Sequence, residues 1–335
     1  MAASAAPPVF SDSHVHLTNY LQEGPDARRF LEVMGTRVER AALFGIPLQQ
    51  KWSHRTSGDR PPPCSLLSNA RLYYYSFTDA QIAMEYLSLP PEARARFDPM
   101  ITGFNPTDMY GADHVRRVLQ TFPGVFTGIG EFTIHAQFVT SKISDEVASL
   151  RDPALDRLLE FAGEVGLVVL VHNDMDAPFP EEGAAPAYLA QMKELLRRHP
   201  RTRIIWAHVG VGRIARPVES HAAIIASILD DPAFDHVCFD ISWDEVAKYL
   251  DITPESARNV AELVNRRADR FLFGTDLVGP TDEATYFAVY DLYGRLWERL
   301  TEEASELVRR GNYRRLFDEA RRKVRAWEAA HPHAG

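Results

Sequence analysis

Nine short apolar runs recur along the chain, at 8–16, 41–46, 72–77, 100–104, 125–132, 167–172, 203–208, 236–241 and 270–276. Between them the apolar residues change to helical spacing. Leu155, Leu158, Leu159, Ala162 and Val165 form one stripe, and Val260, Leu263 and Val264 repeat it, as do Leu307, Val308, Leu316 and Phe317. Strands that are apolar on both faces and separated by amphipathic helices predict a parallel sheet covered by helices. A length of 335 residues lies within the range of one α/β barrel, and a hydrophobic share of 45% is enough for its core. The expectation is a (β/α)8 TIM barrel in a single domain, with a core over about residues 9–320 and a C-terminal helix and tail at 321–335. Pro, Gly and Ser concentrate in HRTSGDRPPPCS, which marks an insertion near 52–68. Nine runs are one too many for eight strands. The run at 72–77 is the surplus one, because it follows the insertion and leads straight into the helix-like TDAQIAMEYLSL.

An open doubly wound sheet would show the same alternation, so the polar residues have to decide. Strand one ends in SDSHVH, which puts His14 and His16 two apart and on one face of an extended chain. Glu131 stands near the end of VFTGIGEF, His172 ends LVVLVH, His208 ends RIIWAH and Asp276 ends FLFGTD. Parallel barrel strands share one C-terminal rim, where barrel enzymes carry their reactive groups. A single histidine at a strand end reads best as a hydrogen-bonded core residue. Metal-ligand side chains at the ends of five strands read instead as one shared site. Nitrogen and carboxylate donors suit Zn²⁺ first, with Mn²⁺ or Fe²⁺ as alternatives.

Charge and composition exclude several classes. Lysine plus arginine number 37 against 46 for aspartate plus glutamate, a net charge of −9, which argues against nucleic acid or an anionic membrane as the partner. The two cysteines, Cys64 and Cys238, make neither a disulfide framework nor a zinc cluster. MAASAAPPVF lacks the basic and apolar regions of a signal peptide, and a cytoplasmic location is expected. Gly210-Val-Gly212-Arg-Ile-Ala215 matches a dinucleotide fingerprint, but Pro217 interrupts the helix that should hold the pyrophosphate.

The His14/His16 pair, Glu131, His172, His208 and Asp276, together with GIGE at 128–131, FGTD at 273–276 and GNYRRLF at 311–317, resemble the amidohydrolase superfamily. The likeness is to its branch related to aminocarboxymuconate semialdehyde decarboxylase, and it runs from residue 12 to about 317. It implies that His14, His16 and His172 bind a metal with Asp276, and that Asp276 also accepts the proton from water. It implies that His208 either binds a second metal or polarises the substrate carbonyl as a catalytic group. Glu131 stands where some members carry a carboxylated lysine, so it either bridges two ions or binds one.

The expected activity is metal-dependent hydrolysis of an amide, lactone or ester of a small carboxylate-bearing molecule. Non-oxidative decarboxylation of an aromatic or enoic acid is the alternative. Decarboxylases of this branch often have glutamate in place of the first histidine, whereas this chain keeps His14. Four neighbours complete the expected site as substrate contacts: His135 beyond Glu131, Arg213 as a carboxylate grip, and Asp240 and Trp243 at the end of strand seven. A homo-oligomer is compatible with this reading.

Overall fold

The computed structural model describes residues 9–46, 54–59, 69–72, 75–135, 148–181, 183–212, 218, 220–250 and 253–332. Its strands are β1 (Phe10–His16), β2 (Val38–Phe44), β3 (Phe97–Ile101), β4 (Gly128–Thr133), β5 (Val168–His172), β6 (Arg203–Trp206), β7 (Val237–Asp240), β8 (Phe271–Leu272) and β9 (Leu277–Val278). They pair in the order β8-β7-β6-β5-β4-β3-β2-β1-β9, every pair parallel. β8 and β9 belong to one continuous run, 271–278, which pairs with β7 at its start and with β1 at its end. That run closes the sheet, and the fold is the expected (β/α)8 barrel.

Two strands begin earlier than their apolar runs. β2 starts at Val38 because Glu39 and Arg40, which break the apolar pattern, are held by Arg314 and Asp98. β3 starts at Phe97 because Asp98 is fully buried yet paired with Arg40, Arg321 and the Tyr313 hydroxyl. The run at 72–77 is no barrel strand. Leu72 makes an isolated antiparallel bridge to Gln22, and Tyr75–Phe77 is a single 3-10 turn. Of the expected insertion, 54–59 are described and hold the short helix His54–Ser57; the remainder, with Cys64, lies outside the described residues.

Alternation along the strands divides the core in two. Ala42, Phe44, Val168, Leu170, Ile205 and Cys238 fill the barrel interior, and Ala41, Leu43, Val169, Val171, Ile204 and Phe239 pack outward under the helices. The helix Pro153–Val165 buries the whole stripe expected of it, capped by Asp152 at one end and by Gly166, at φ 85°, at the other. The helix Asn312–Ala330 delivers Tyr313, Leu316, Phe317 and Ala320 into the interior cluster. It therefore plugs the N-terminal end of the barrel and leaves the C-terminal end for polar groups. The helix continues past residue 320 without a break, and Val324 and Trp327 are buried. Among the described residues, no helix is long and apolar enough to cross a membrane.

Candidate metal centre

Two irregularities in the strands aim the side chains inward. Along β1, Phe10 and Val15 pack into the outer core, and a register shift between Asp12 and Val15 lets His14 and His16 both face the barrel interior. Along β4 a register shift falls between Ile129 and Phe132. Both of those residues face the outer core, so the extra residue turns Glu131 toward the interior. Gly130 makes room for this. A Cβ there would lie 2.7 Å from the Phe44 ring, and that ring stands 4.7 Å from the His16 ring.

Ligand-type atoms of His14, His16, Glu131 and Asp276 all lie within 4.8 Å of one another. His14 Nε2 and His16 Nε2 stand 3.1 and 3.2 Å from Asp276 Oδ1, and His16 Nε2 is 3.2 Å from Glu131 Oε2. The other oxygen of Glu131 faces away from that group: Oε1 lies 2.7 Å from His172 Nδ1 and 3.4 Å from His208 Nε2. Glu131, His172 and His208 form a second group of the same dimension. The five strand-end positions expected to converge do converge. His172 is nevertheless not grouped with His14 and His16, as the resemblance implied; it stands across Glu131 from them, its Nε2 held by Asp174 at 3.0 Å.

The electrostatics follow from burial of opposite charges. Burial disfavours a charged His14, but the Asp276 and Asp240 carboxylates outweigh it and hold the imidazole well above its ordinary range. His16 is raised in the same way, burial being outweighed by Asp276 and Glu131. His172, buried but bonded to Asp174 and Glu131, is pushed up to about 10. Burial favours protonated carboxyls, yet the facing histidines hold Glu131 and Asp276 well below the usual carboxylate range. These donors fit a divalent cation. His14 Nε2 is buried and makes no well-aligned hydrogen bond, although Asp276 Oδ1 and Glu131 Oε2 stand 3.1 and 3.7 Å away, and a cation shared with those carboxylates would satisfy it.

The remaining expected contacts divide. Trp243 walls the cluster, its ring 5.0 Å from that of His208 and 6.4 Å from that of His172. His135 stacks on Tyr188 at 4.0 Å, and its backbone carbonyl accepts from the Asp174 amide. Asp240 is fully buried, with His14 Nδ1 on Oδ2 and Ser242 Oγ and the His208 amide on Oδ1, so it faces the histidines from behind. Arg213 lies outside the described residues.

Strain also concentrates here. Among the described residues five non-glycines have positive φ, and four of them stand at the strand ends around the cluster: His208 at 56°, Val209 at 47°, Trp243 at 84° and Asp276 at 54°. Such conformations cost about 1–3 kcal/mol each and persist where tertiary contacts enforce them.

One latch escaped the sequence reading. Asp12, fully buried and raised in pKa by that burial, accepts from the His14 amide, the Thr275 amide and hydroxyl, and the Tyr286 hydroxyl. It fastens β1 to the closing run, and the Asp276 amide then donates to the His14 carbonyl at 2.6 Å. The leading Asp of SDSHVH was the available signal; nothing local marks Tyr286.

No curated protein matches the chain by sequence. Its fold is similar to that of a protein from Agrobacterium tumefaciens (14% identity, 94% of this chain and 97% of that one, TM-score 0.53). It is similar also to a candidate 2-pyrone-4,6-dicarboxylic acid hydrolase from Pseudomonas putida (13% identity, 94% and 99% covered, TM-score 0.53). A third similar structure is a 2,6-dihydroxybenzoate decarboxylase from Rhizobium (13% identity, 92% and 99% covered, TM-score 0.53). The amidohydrolase family profile matches residues 12–318, nearly the whole barrel and every residue of the cluster, and the chain belongs to that family.

Proposed function

We propose that the protein is a metal-dependent hydrolase of an amide, lactone or ester in a small, carboxylate-bearing substrate, with Zn²⁺ the first choice of cation. The observation that carries this reading is the divided carboxylate of Glu131, with Oε2 toward His14, His16 and Asp276 and Oε1 toward His172 and His208. It gives the cluster two adjoining sets of ligands, enough for one ion or two. When bound, a divalent cation supplies Lewis-acid polarisation of a carbonyl and a lowered pKa for water. Asp276, ionised and facing both β1 histidines, takes the proton of the attacking water and returns it to the leaving group. His208 either completes the second ligand set or polarises the substrate carbonyl. Trp243 and His135 shape the substrate wall, and Arg213 is assigned the substrate carboxylate on its sequence position alone. Asp240 moves from substrate contact to a supporting place, because its oxygens are already engaged.

Decarboxylation of an aromatic acid is the second reading, favoured by the flat indole of Trp243 beside His208. In that reaction a proton reaches the ring carbon as CO₂ leaves. The two similar folds named for reactions divide between hydrolysis and decarboxylation, so fold does not choose. A screen of Zn²⁺- and Mn²⁺-loaded protein against lactones, esters, amides and aromatic acids does choose: CO₂ release without hydrolytic turnover overturns the first reading. His16→Ala and Asp276→Ala should each abolish turnover with the circular dichroism spectrum unchanged. Full activity in either variant would falsify the site.

A further inference from the structure

Behind the cluster, Asp240 and Ser242 touch two of its histidines at the nitrogen that does not face the carboxylates. Asp240 Oδ2 lies 3.0 Å from His14 Nδ1. Ser242 Oγ lies 2.5 Å from Asp240 Oδ1, 2.9 Å from His208 Nδ1 and 3.2 Å from His14 Nδ1. Asp240 Oδ1 also accepts from the His208 amide at 2.7 Å and the Ser242 amide at 3.2 Å. All of these groups are buried.

Proton counting fixes the directions. Two backbone amides, which can only donate, already point at Asp240 Oδ1, so the Ser242 hydroxyl 2.5 Å from that oxygen donates to it as well. Its oxygen then has only lone pairs to offer His208, and His208 Nδ1 must carry the hydrogen. Asp240 Oδ2, an oxygen of the same carboxylate, accepts, which puts a hydrogen on His14 Nδ1. Each ring therefore presents Nε2 to the cluster: His14 Nε2 is 3.1 Å from Asp276 Oδ1, and His208 Nε2 is 3.4 Å from Glu131 Oε1.

We propose that Asp240 and Ser242 are a buried positioning pair that holds a hydrogen on Nδ1 of both His14 and His208, with Ser242 carrying the influence of Asp240 to His208. The pair makes Nε2 of each ring the atom available to a ligand, a proton or a substrate. Asp240 acts on His14 directly and on His208 through the hydroxyl, so the two histidines can be separated experimentally. The proposal rests on reading the cluster as a metal centre for its consequence, but not for the Nδ1 hydrogens themselves.

The test uses full-length protein with ¹⁵N-labelled histidine, metal-free and Zn²⁺-loaded, in wild type, Ser242→Ala, Ser242→Thr and Asp240→Asn. Imidazole ¹H–¹⁵N resonances are read by NMR, Zn²⁺ affinity by competition with a chelator, and folding by circular dichroism. Wild type should show protected Nδ1–H signals from His14 and His208. Ser242→Ala should lose the His208 signal and keep that of His14, and Ser242→Thr should restore the lost signal. Asp240→Asn should lose both signals and weaken Zn²⁺ binding by about 10–100-fold. A folded Ser242→Ala protein that keeps both signals overturns the proposal, and so does one that loses both together with Zn²⁺ affinity. If wild type takes up no Zn²⁺, the metal reading fails, while the metal-free spectra still decide the role of Ser242.

Discussion

His172 lies between two carboxylates, Glu131 at 2.7 Å and Asp174 at 3.0 Å, and both of its ring nitrogens are engaged. Burial alone would push its pKa down, but the two hydrogen-bonded anions push it up to about 10. A folded-state value above the unfolded one means that this group stabilises the metal-free fold fully below about pH 6.5 and loses that contribution as pH rises toward about 10. At neutral pH His172 thus holds a proton that a cation must displace, and His14 and His16 are raised in the same direction. Zn²⁺ affinity is expected to climb from about pH 6 to about pH 8, with proton release visible as a binding enthalpy that changes with the buffer. Flat affinity across that range, with the same enthalpy in every buffer, would refute protonated histidines as the resting state.

The closing run 271–278 is the element on which the cluster depends most. It pairs with β7 at one end and β1 at the other, and its Gly274 crosses directly over His14. A Cβ at 274 would stand 2.7 Å from His14 Cβ and 2.9 Å from its backbone nitrogen, closer than packed atoms come. Gly274→Ala is therefore expected to push the run away from β1, at a cost of about 1–3 kcal/mol. The same displacement should separate Asp276 from His14 and weaken Zn²⁺ binding. Thermal melting and a chelator competition check the two effects, and a variant with wild-type values in both would show that the run has slack. β4 uses the opposite device, an irregularity in place of a missing side chain, to turn Glu131 inward.

Across the whole molecule the two ends of the barrel are built differently. The C-terminal end collects histidines and carboxylates within ligand distance of one another; the N-terminal end is sealed by the helix Asn312–Ala330. At that seal Asp98, fully buried, accepts from Arg40 at 2.9 Å, Arg321 at 2.7 Å and the Tyr313 hydroxyl at 2.9 Å. Asp98→Ala would leave the largely buried Arg40 without that partner and should lower stability by roughly 3 kcal/mol, measured by denaturant unfolding. The histidine–carboxylate cluster, at the other end, should keep its measured affinity for added Zn²⁺ if the variant folds. The alternation of runs and stripes made the barrel legible from the sequence, because periodicity records which face of each element is buried. Strand-end chemistry likewise made legible that His14, His16, Glu131, His172, His208 and Asp276 would meet, since parallel strands share one rim. What only the tertiary structure decided was the grouping within that rim. Glu131, not His172, joins the β1 pair because a shift in β4 turns it inward, and Asp240 turns to the back of the rings because Ser242 and the His208 amide occupy its Oδ1 and His14 its Oδ2. The start of β3, hidden by Asp98, belongs with these, for its neutralising partners Arg40 and Arg321 lie 58 and 223 residues away. Local sequence carries the period of an element, whereas a bulge, a buried charge or a side chain's direction depends on groups that only folding brings near.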